Sequence, residues 1–250
     1  MTTSVPAAGM YGEEQAEVYE LVHRARGKDY DEEAAFVAEQ ARELLPGAAT
    51  LLDVACGTGA HLRAFARLFD RVEGLELSPA MVEAARTNTP GAVVHHGDMR
   101  SFHLGERYDV ITCMFGSVGY LTDVEELNAA LRRFAAHLSP GGVVAIDPWW
   151  FPDTYLDGYV SASLVEADGT TVVRVSHSKR DRDASRMEVH YIVARPAGGV
   201  HHFVEQHRIT LFPRDTYEKA FRGAGLSVRY LEGSQSGRGL FVGCAGHQED

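Results

Sequence analysis

Apolar and polar positions along the first 150 residues alternate between a helical and an extended period. Helical spacing recurs at residues 11–24, 30–45, 60–69, 79–88 and 124–137. Short apolar runs typical of buried strands lie between these segments, with the first strand beginning at residue 51 and the others at residues 72–77, 92–96, 108–114 and 142–147. Strands that alternate with crossover helices predict a parallel sheet with helices on both faces.

The pattern changes between residues 159 and 211. Apolar and polar residues alternate strictly at residues 171–177, 187–193 and 200–209, with turn residues between them, which predicts an antiparallel meander. A helix at residues 214–223 and strands at residues 226–231 and 239–245 then return to the sheet. We therefore expect an α/β fold over residues 1–250 as a single domain. Its doubly wound, mostly parallel sheet has seven strands, and residues 159–211 form an inserted antiparallel lid.

The first strand runs directly into a glycine turn at Gly57-Thr58-Gly59, followed by a helix. Glycines adopt positive φ and let the backbone approach a ligand closely. Leu62 stands where the dinucleotide fingerprint requires a third glycine, which disfavours a dehydrogenase. Glu76 ends the next strand at roughly the 20-residue distance expected for a carboxylate that binds ribose hydroxyls. This pattern favours a smaller nucleoside cofactor.

Composition and charge exclude several other classes of protein. The chain has 250 residues, 45% of them hydrophobic, and its net charge of −11 is spread along the sequence without a basic, aromatic cluster, so nucleic acid is not the expected partner. The three cysteines form no CxxC pair, and no apolar run has the length needed for export or for crossing a membrane. We expect a cytoplasmic protein that binds no membrane.

Three histidines in one predicted strand, His201, His202 and His207, raise the question of a metal site. Strand alternation, however, places His202 on the face opposite His201 and His207. No cysteine pair and no His-x-x-x-His helix supports them. We expect no metal.

Several motifs together resemble the S-adenosylmethionine-dependent methyltransferases with a seven-stranded sheet. The resemblance rests on residues 53–59, Glu76, residues 97–99 and residues 138–142. It implies S-adenosylmethionine as the cofactor, with Glu76 at the ribose and Asp98 accepting from the adenine amine. The full set of implied cofactor residues is Tyr19, Lys28, Asp53, Ala55, Gly57, Gly59, Glu76, Leu77, Asp98, Met99 and Met114.

A narrower resemblance spans nearly the whole chain. Residues 10–12, 19–30, 147–152 and 237–241 are similar to the N-methyltransferases that dimethylate amino sugars carried on dTDP, as in desosamine, mycaminose and forosamine biosynthesis. It implies a dTDP-amino sugar as the substrate and allows a homodimer, which the sequence leaves open. The implied substrate residues are Tyr11, Trp149, Trp150 and Arg238.

These substrate residues suit the chemistry of a sugar nucleotide. Trp149 and Trp150 offer aromatic faces for the thymine ring and the deoxysugar, and we expect one of them at the substrate and the other in the core. Arg238 offers a forked donor for the diphosphate.

At one catalytic position the chain departs from the family pattern. Members carry His within a Ser-x-Gly-His segment, whereas this chain reads Ser117-Val118-Gly119-Tyr120. Tyr11 and Tyr120 are therefore the candidate catalytic residues, as hydrogen-bond acceptors that orient the amine, because a phenol with a pKa near 10 is a poor base at neutral pH.

The sequence thus predicts N,N-dimethylation of a dTDP-linked deoxy amino sugar in natural-product biosynthesis. Another small-molecule N- or O-methyltransferase and a noncatalytic S-adenosylmethionine-binding protein remain alternatives. The position of the nitrogen, on C3 or C4, and the number of methyl groups added stay open.

Overall fold

The computed structural model describes residues 13–167, 169–233 and 236–246. Its helices are α1 Glu13–Ala25, α2 Tyr30–Leu44, α3 Ala60–Phe65, α4 Pro79–Asn88, α5 Val124–Ala136 and α6 Arg214–Gly223, with a 3-10 turn at Ser117–Tyr120. Its strands are β1 Thr50–Val54, β2 Arg71–Glu76, β3 Val93–His96, β4 Tyr108–Cys113, β5 Leu138–Ile146, β6 Tyr159–Ala167, β7 Thr170–Asp181, β8 Ala184–Arg195, β9 Gly199–Thr210, β10 Arg229–Leu231 and β11 Leu240–Cys244.

Seven strands form one sheet in the order β10-β11-β5-β4-β1-β2-β3. The strands from β5 to β3 pair in parallel, and β11 runs antiparallel to both β5 and β10. Apolar side chains of α2, α3 and α4 pack on one face of the sheet, and those of α5 and α6 pack on the other. The predicted doubly wound, mostly parallel sheet is confirmed.

Four strands, β6 to β9, form a separate antiparallel sheet in sequential order. This is the predicted meander, although the alternation had indicated only three of its strands. The alternation did not predict β6, because it is an edge strand. Its Val160 and Leu164 are exposed, so its apolar residues do not mark a buried face. Helix α1 packs on this sheet through Val18 and Val22.

Two predicted boundaries are too wide. Helix α3 ends at Phe65 and not at residue 69, because the N–H groups of Arg67 and Leu68 turn back to carbonyls three residues earlier. The strand predicted from residue 226 begins only at Arg229, and Leu226 makes an isolated bridge to Ala245.

Candidate active site

Strands β1 and β4 are neighbours in the sheet although they are far apart in the chain, so the strand order reverses between them. Ligands of doubly wound sheets bind outside the carboxyl ends of the strands at such a point. Just beyond these two ends, Ala55 has φ 58° and Phe115 has φ 60°. Left-handed backbone costs a non-glycine residue about 1–2 kcal/mol and is concentrated at functional sites. This edge of the sheet is therefore the candidate active site.

The two glycines of the predicted turn have different roles. Gly57 has φ 57°, and a Cβ built on it would have no neighbour within 4 Å, so the backbone borders open space. Gly59 has φ 84°, and a Cβ there would lie 3.0 Å from Thr89 Cγ2 and 3.3 Å from Ala85 Cα. The close approach at Gly59 is thus to helix α4, and only Gly57 leaves room for a ligand.

Glu76 lies at the carboxyl end of β2 and braces the glycine turn. Its Oε2 accepts from the backbone N–H of Gly57 at 3.0 Å, and its Oε1 accepts from Ser78 N–H at 2.8 Å. Burial raises the pKa of Glu76 against these backbone hydrogen bonds. Each carboxylate oxygen keeps a further lone pair for a hydroxyl. The adjacent Leu77 side chain is 45% exposed, an apolar surface at the rim of the site.

Asp53 is a buried carboxylate with one unsatisfied oxygen. Its Oδ1 accepts from Thr112 Oγ1 at 2.7 Å, whereas Oδ2 has no hydrogen-bond donor among the described residues. Burial raises the pKa of Asp53 to about 6, although His61 and Thr112 act in the opposite direction. A buried, unpaired carboxylate oxygen is costly, and a cationic group would relieve it.

Asp98 follows β3, as predicted, but its carboxylate is engaged. Asp98 accepts from the Arg100 Nε at 3.0 Å on both oxygens, and Arg100 also pairs with Glu126. The hydrogen bond from Arg100 is the main cause that lowers the pKa of Asp98. Nearby, Met99 packs against the core, and Met114 is buried with 5% of its surface exposed.

A cavity of about 630 Å³ lies beside the switch point. Its walls are α1, the loops that follow β4 and β5, and the antiparallel sheet. Six of the predicted site residues line it, namely Tyr19, Lys28, Tyr120, Trp149, Trp150 and Arg238. The predicted cofactor residues Gly57 and Glu76 lie outside this lining. The predicted site residues therefore divide into a glycine-turn group and a cavity group.

Both tryptophans line the cavity and are half-buried, so the expectation that one of them lies in the core was wrong. Trp149 fits closely over Gly116, where a Cβ would come within 2.8 Å of the indole, and Gly119 faces the Trp149 Cβ. The Trp149 Nε1 donor is buried without an acceptor among the described residues. Gly116 just before the 3-10 turn and Gly119 within it thus make room for an aromatic cavity wall.

Arg238 lies behind the tryptophans and is 7% exposed. Its Nε donates to the Pro148 carbonyl at 2.7 Å, and its Nη2 donates to Asp147 Oδ2 at 2.9 Å. The guanidinium carbon lies 5.4 Å from the centre of the Trp149 ring and 5.8 Å from that of Trp150. Arg238 therefore supports the cavity wall as well as lining it.

Two arginines that the sequence reading missed face the cavity without a carboxylate. Arg174 is 5% exposed, and its Nη1 donates to Ser176 Oγ at 3.0 Å while its Nε is buried without an acceptor among the described residues. Arg26 donates to Ser161 Oγ at 3.3 Å, and neither guanidinium pairs with a carboxylate in the described part of the chain. Burial lowers the pKa of Arg26, and the charge of Arg174 lowers it further.

His23 and Lys28 complete this cationic end of the cavity. Burial lowers the pKa of His23 to about 3, with help from nearby Arg26 and Arg174, so His23 is neutral. Lys28 Nζ lies 2.7 and 2.6 Å from the Glu33 oxygens and 3.8 Å from the centre of the Phe115 ring. Because Glu33 neutralises Lys28, the uncompensated charge belongs to the two arginines.

Tyr120 ends the 3-10 turn, and its hydroxyl lies 3.0 Å from His207 Nδ1 on β9. The other ring nitrogen of His207, Nε2, is 3.4 Å from Glu205 Oε2. The second candidate catalytic residue, Tyr11, lies outside the described residues. Sequence alternation had placed His207 on one face of its strand but gave no sign that Tyr120 would meet it.

Two searches of the described ranges bear on other kinds of site. In residues 13–167, 169–233 and 236–246, no group of three or more His, Cys, Asp or Glu side chains is placed to hold a metal ion. Within the same ranges, no helix has the length and apolar character to span a bilayer.

Comparison with known proteins identifies the class of this fold. A methyltransferase domain model matches residues 51–142, which contain the glycine turn, Glu76 and β4. The fold and this match together define the class of the protein as a methyltransferase.

Relatives of nearly the same length narrow the class. The dTDP-3-amino-3,6-dideoxy-alpha-D-glucopyranose N,N-dimethyltransferase of Streptomyces fradiae is 58% identical over 94% of this chain and 92% of its own. The crystal structure of DesVI from Streptomyces venezuelae superposes with a TM-score of 0.91 at 54% identity, covering 94% of this chain and all of that chain (100%). CalS10 from Micromonospora echinaspora, an amino pentose methyltransferase solved with S-adenosylmethionine bound, has a TM-score of 0.84 at 49% identity over 91% of this chain and 96% of its own. The chain belongs to the family of dTDP-amino-sugar N,N-dimethyltransferases, as the sequence resemblance predicted.

Proposed function

We propose that this protein dimethylates the amino group of a dTDP-linked deoxy amino sugar, using S-adenosylmethionine. The observation that carries the proposal is the cavity beside the switch point, which combines two unpaired guanidinium groups with a pair of tryptophans. In a chain with a net charge of −11, a buried Arg174 without a carboxylate partner among the described residues, beside the more exposed Arg26, favours an anionic ligand. A nucleoside diphosphate sugar supplies the anion, an aromatic base and an amine in one molecule.

The residues at the carboxyl ends of β1 and β2 fit the cofactor. Gly57 borders open space, Glu76 keeps lone pairs for the ribose hydroxyls, and the unpaired Asp53 Oδ2 suits an ammonium group. The exposed Leu77 side chain offers a flat apolar contact for adenine. When bound, S-adenosylmethionine supplies a methyl group on a sulfonium, which needs no further activation.

The remaining residues are assigned to the cofactor from their positions in the fold. Ala55 and Gly59 shape the turn, Tyr19 on α1 and Lys28 just after it line the adjoining cavity, and Met99 and Met114 lie beyond the ends of β3 and β4. Asp98 faces the adenine only through the lone pairs that Arg100 leaves free. We propose it as an indirect or shared acceptor for the adenine amine.

The cavity residues fit the substrate. We assign the diphosphate to Arg174 and Arg26, because these guanidiniums have no carboxylate partner among the described residues. Arg238 contributes only Nη1, since its Nε and Nη2 are already committed to Pro148 and Asp147. Trp149 and Trp150 provide the faces for thymine and sugar.

The chemical task of the chain is to present a neutral amine in line with the methyl group and to exclude water. Tyr120, and Tyr11 with it, would accept a hydrogen bond from the amine and fix the direction of its lone pair. A monomethylated amine keeps a lone pair, so the same alignment serves a second transfer. No metal is required for this chemistry.

The experiment is mass spectrometry of dTDP-amino sugars incubated with the protein and S-adenosylmethionine. We expect masses that rise by one and then two methyl groups, with dTDP-3-amino and dTDP-4-amino sugars compared to locate the nitrogen. Free amino sugars, amino acids and phenols serve as the matched panel. Turnover of a free amine or a phenol as fast as of the sugar nucleotide would reject the proposed substrate class, and cofactor binding without turnover would indicate a noncatalytic protein.

A further inference from the structure

A hydrogen bond connects the two halves of the active site. Tyr120 belongs to the turn that follows β4, and His207 belongs to the antiparallel sheet, yet the Tyr120 hydroxyl lies 3.0 Å from His207 Nδ1. Both side chains line the cavity, and His207 is 8% exposed. The contact therefore lies at the cavity wall, shielded from bulk water.

His207 is backed by a carboxylate. Glu205 lies two residues earlier on the same face of β9, and its Oε2 is 3.4 Å from His207 Nε2. The Glu205 Oε2 atom is buried and has no full hydrogen bond within the described chain. A proton on Nε2 would supply one, so the geometry favours an imidazole that donates from Nε2 and accepts at Nδ1.

The strands beside β9 determine which other groups lie on the same face as this imidazole. On the neighbouring strand β8 the residue paired with His207 is Met187, and beyond it on β7 stands Ser178. On that face of β7, Arg180 lies two residues from Ser178, where it donates to the Pro152 carbonyl and lies over the Tyr155 ring, and Arg174 lies four residues from Ser178 in the other direction. Tyr120 from the turn and Glu205 from β9 both contact His207, one at each ring nitrogen.

We propose that Tyr120 passes the proton of the substrate ammonium to His207, with His207 and Glu205 as the positioning residues of this relay. In the step, an N–H bond of the ammonium breaks and an O–H bond forms at the Tyr120 oxygen. At the same time the original Tyr120 O–H bond breaks and an N–H bond forms at His207 Nδ1. The lone pair stays on the amine, and the positive charge moves to the imidazole beside Glu205.

The relay explains how a tyrosine can serve at this position. A phenol alone has a pKa near 10 for losing its proton and is a poor acceptor, whereas an imidazole titrates near pH 6.5. A base is most effective when its pKa lies near the working pH. Because Tyr120 is hydrogen-bonded to His207, a proton taken up at the phenol oxygen can end on the imidazole, although only the tyrosine contacts the substrate.

The test compares single-turnover methyl transfer by the wild type, Tyr120→Phe and His207→Gln across pH, with substrate and cofactor saturating. A glutamine carbonyl still accepts from the Tyr120 hydroxyl but cannot take its proton, so the packing is kept and the relay is lost. His202→Gln is the matched control, because His202 lies on the same strand with its side chain exposed on the other face. Circular dichroism checks that each variant folds.

The expected signature is a rate deficit that depends on pH. At pH 7, His207→Gln should be slower by about 100-fold, the low end for positioned acid–base groups. Above the pKa of the substrate amine, where no proton needs removal, the deficit should shrink to a few fold. His202→Gln should match the wild type throughout. Glu205→Gln should repeat the pH-dependent loss in weaker form, which provides a second variant if His207→Gln fails to fold.

The relay rests on the proposed function, but different experimental results would reject the relay and the function. A wild type that methylates no dTDP-amino sugar overturns both. A wild type that is active, with a His207→Gln deficit that is equal at every pH, overturns the relay alone and leaves His207 a structural role. Wild-type rates in both Tyr120→Phe and His207→Gln would also reject it.

Discussion

Arg238 and Asp147 form an ion pair that is almost closed to solvent. Nη2 and Oδ2 are 2.9 Å apart, and only 7% and 4% of the two side chains is exposed. Because the same guanidinium also holds the Pro148 carbonyl, Arg238 fixes the segment that carries both tryptophans. A change at Arg238 must therefore affect the cavity wall as well as any direct contact with substrate.

Arg238→Lys should raise the KM for the dTDP-amino sugar and also lower the melting temperature. An ammonium cannot reproduce the forked contacts to Asp147 and Pro148, and breaking a buried pair costs about 3–5 kcal/mol when a charge is left unpaired. The dissociation constant for S-adenosylmethionine should change much less. Steady-state kinetics, thermal denaturation and calorimetry report the three quantities, and an unchanged KM would remove Arg238 from the substrate site.

Arg174→Gln should raise the KM for the sugar nucleotide by about 10- to 100-fold, as expected for losing a hydrogen bond to a charged group. Unlike Arg238→Lys, it should not destabilise the protein, since it removes a buried charge that lacks a carboxylate partner. Arg186→Gln on the exposed side of β8 is the matched control. Equal KM values for both variants would show that the diphosphate binds elsewhere.

Glu76→Gln should weaken S-adenosylmethionine binding by about 1.5–3 kcal/mol. The amide nitrogen of the glutamine would face either the Gly57 or the Ser78 N–H group, from which it cannot accept a hydrogen bond. The glycine turn and the ribose would therefore share one acceptor oxygen fewer. Glu73→Gln provides the control, because Glu73 is a buried carboxylate of the same strand that serves Tyr108 and His95. Calorimetry should find reduced affinity only for the Glu76 variant.

Cofactor affinity should fall as the pH falls through 6. Burial raises the pKa of Asp53 to about 6, and only the ionised carboxylate attracts an ammonium group. Binding should therefore be about tenfold weaker at pH 5 than at pH 7.5 and should release protons near pH 6. Calorimetry in buffers of different ionisation enthalpy measures both effects.

Asp53→Asn is the control for this pH dependence, and it should flatten the profile. The sign for stability is opposite to that for binding: a carboxyl whose pKa is raised on folding disfavours the folded state once it ionises, so the cofactor-free wild type should gain stability relative to Asp53→Asn as the pH falls from 7 to 5. A wild-type affinity that does not change between pH 5 and 7.5 would rule out the ammonium contact.

The parts of the molecule that the sequence predicted are those with local signals. The parallel sheet follows from the period of the chain, and the glycine turn follows from a strand, two glycines and a helix in sequence. Even there, sequence could not distinguish Gly57, which borders open space, from Gly59, which packs against Ala85.

The cavity was harder because its contacts join residues that are distant along the chain. Tyr120 meets His207 across 87 positions, and no local pattern encodes that contact. One signal was available: strand alternation puts Arg174, Ser176 and Ser178 on the same face as Val172, so a buried face carries polar residues. An arginine on the apolar side of a strand is a reason to look for a ligand.

Helix α1 gives the substrate side of the protein a core of its own. Val18 and Val22 pack with Val172 and Val189, apart from the two cores that flank the parallel sheet, while the join to the glycine turn is polar, with Thr58 Oγ1 donating to Glu20 at 2.9 Å. Substitutions that change the shape of the proposed substrate cavity can thus be accommodated in this separate core without repacking the residues around the proposed cofactor site. Descendants of one ancestral enzyme can diverge in the sugar they accept while inheriting the methyl-donor half unchanged.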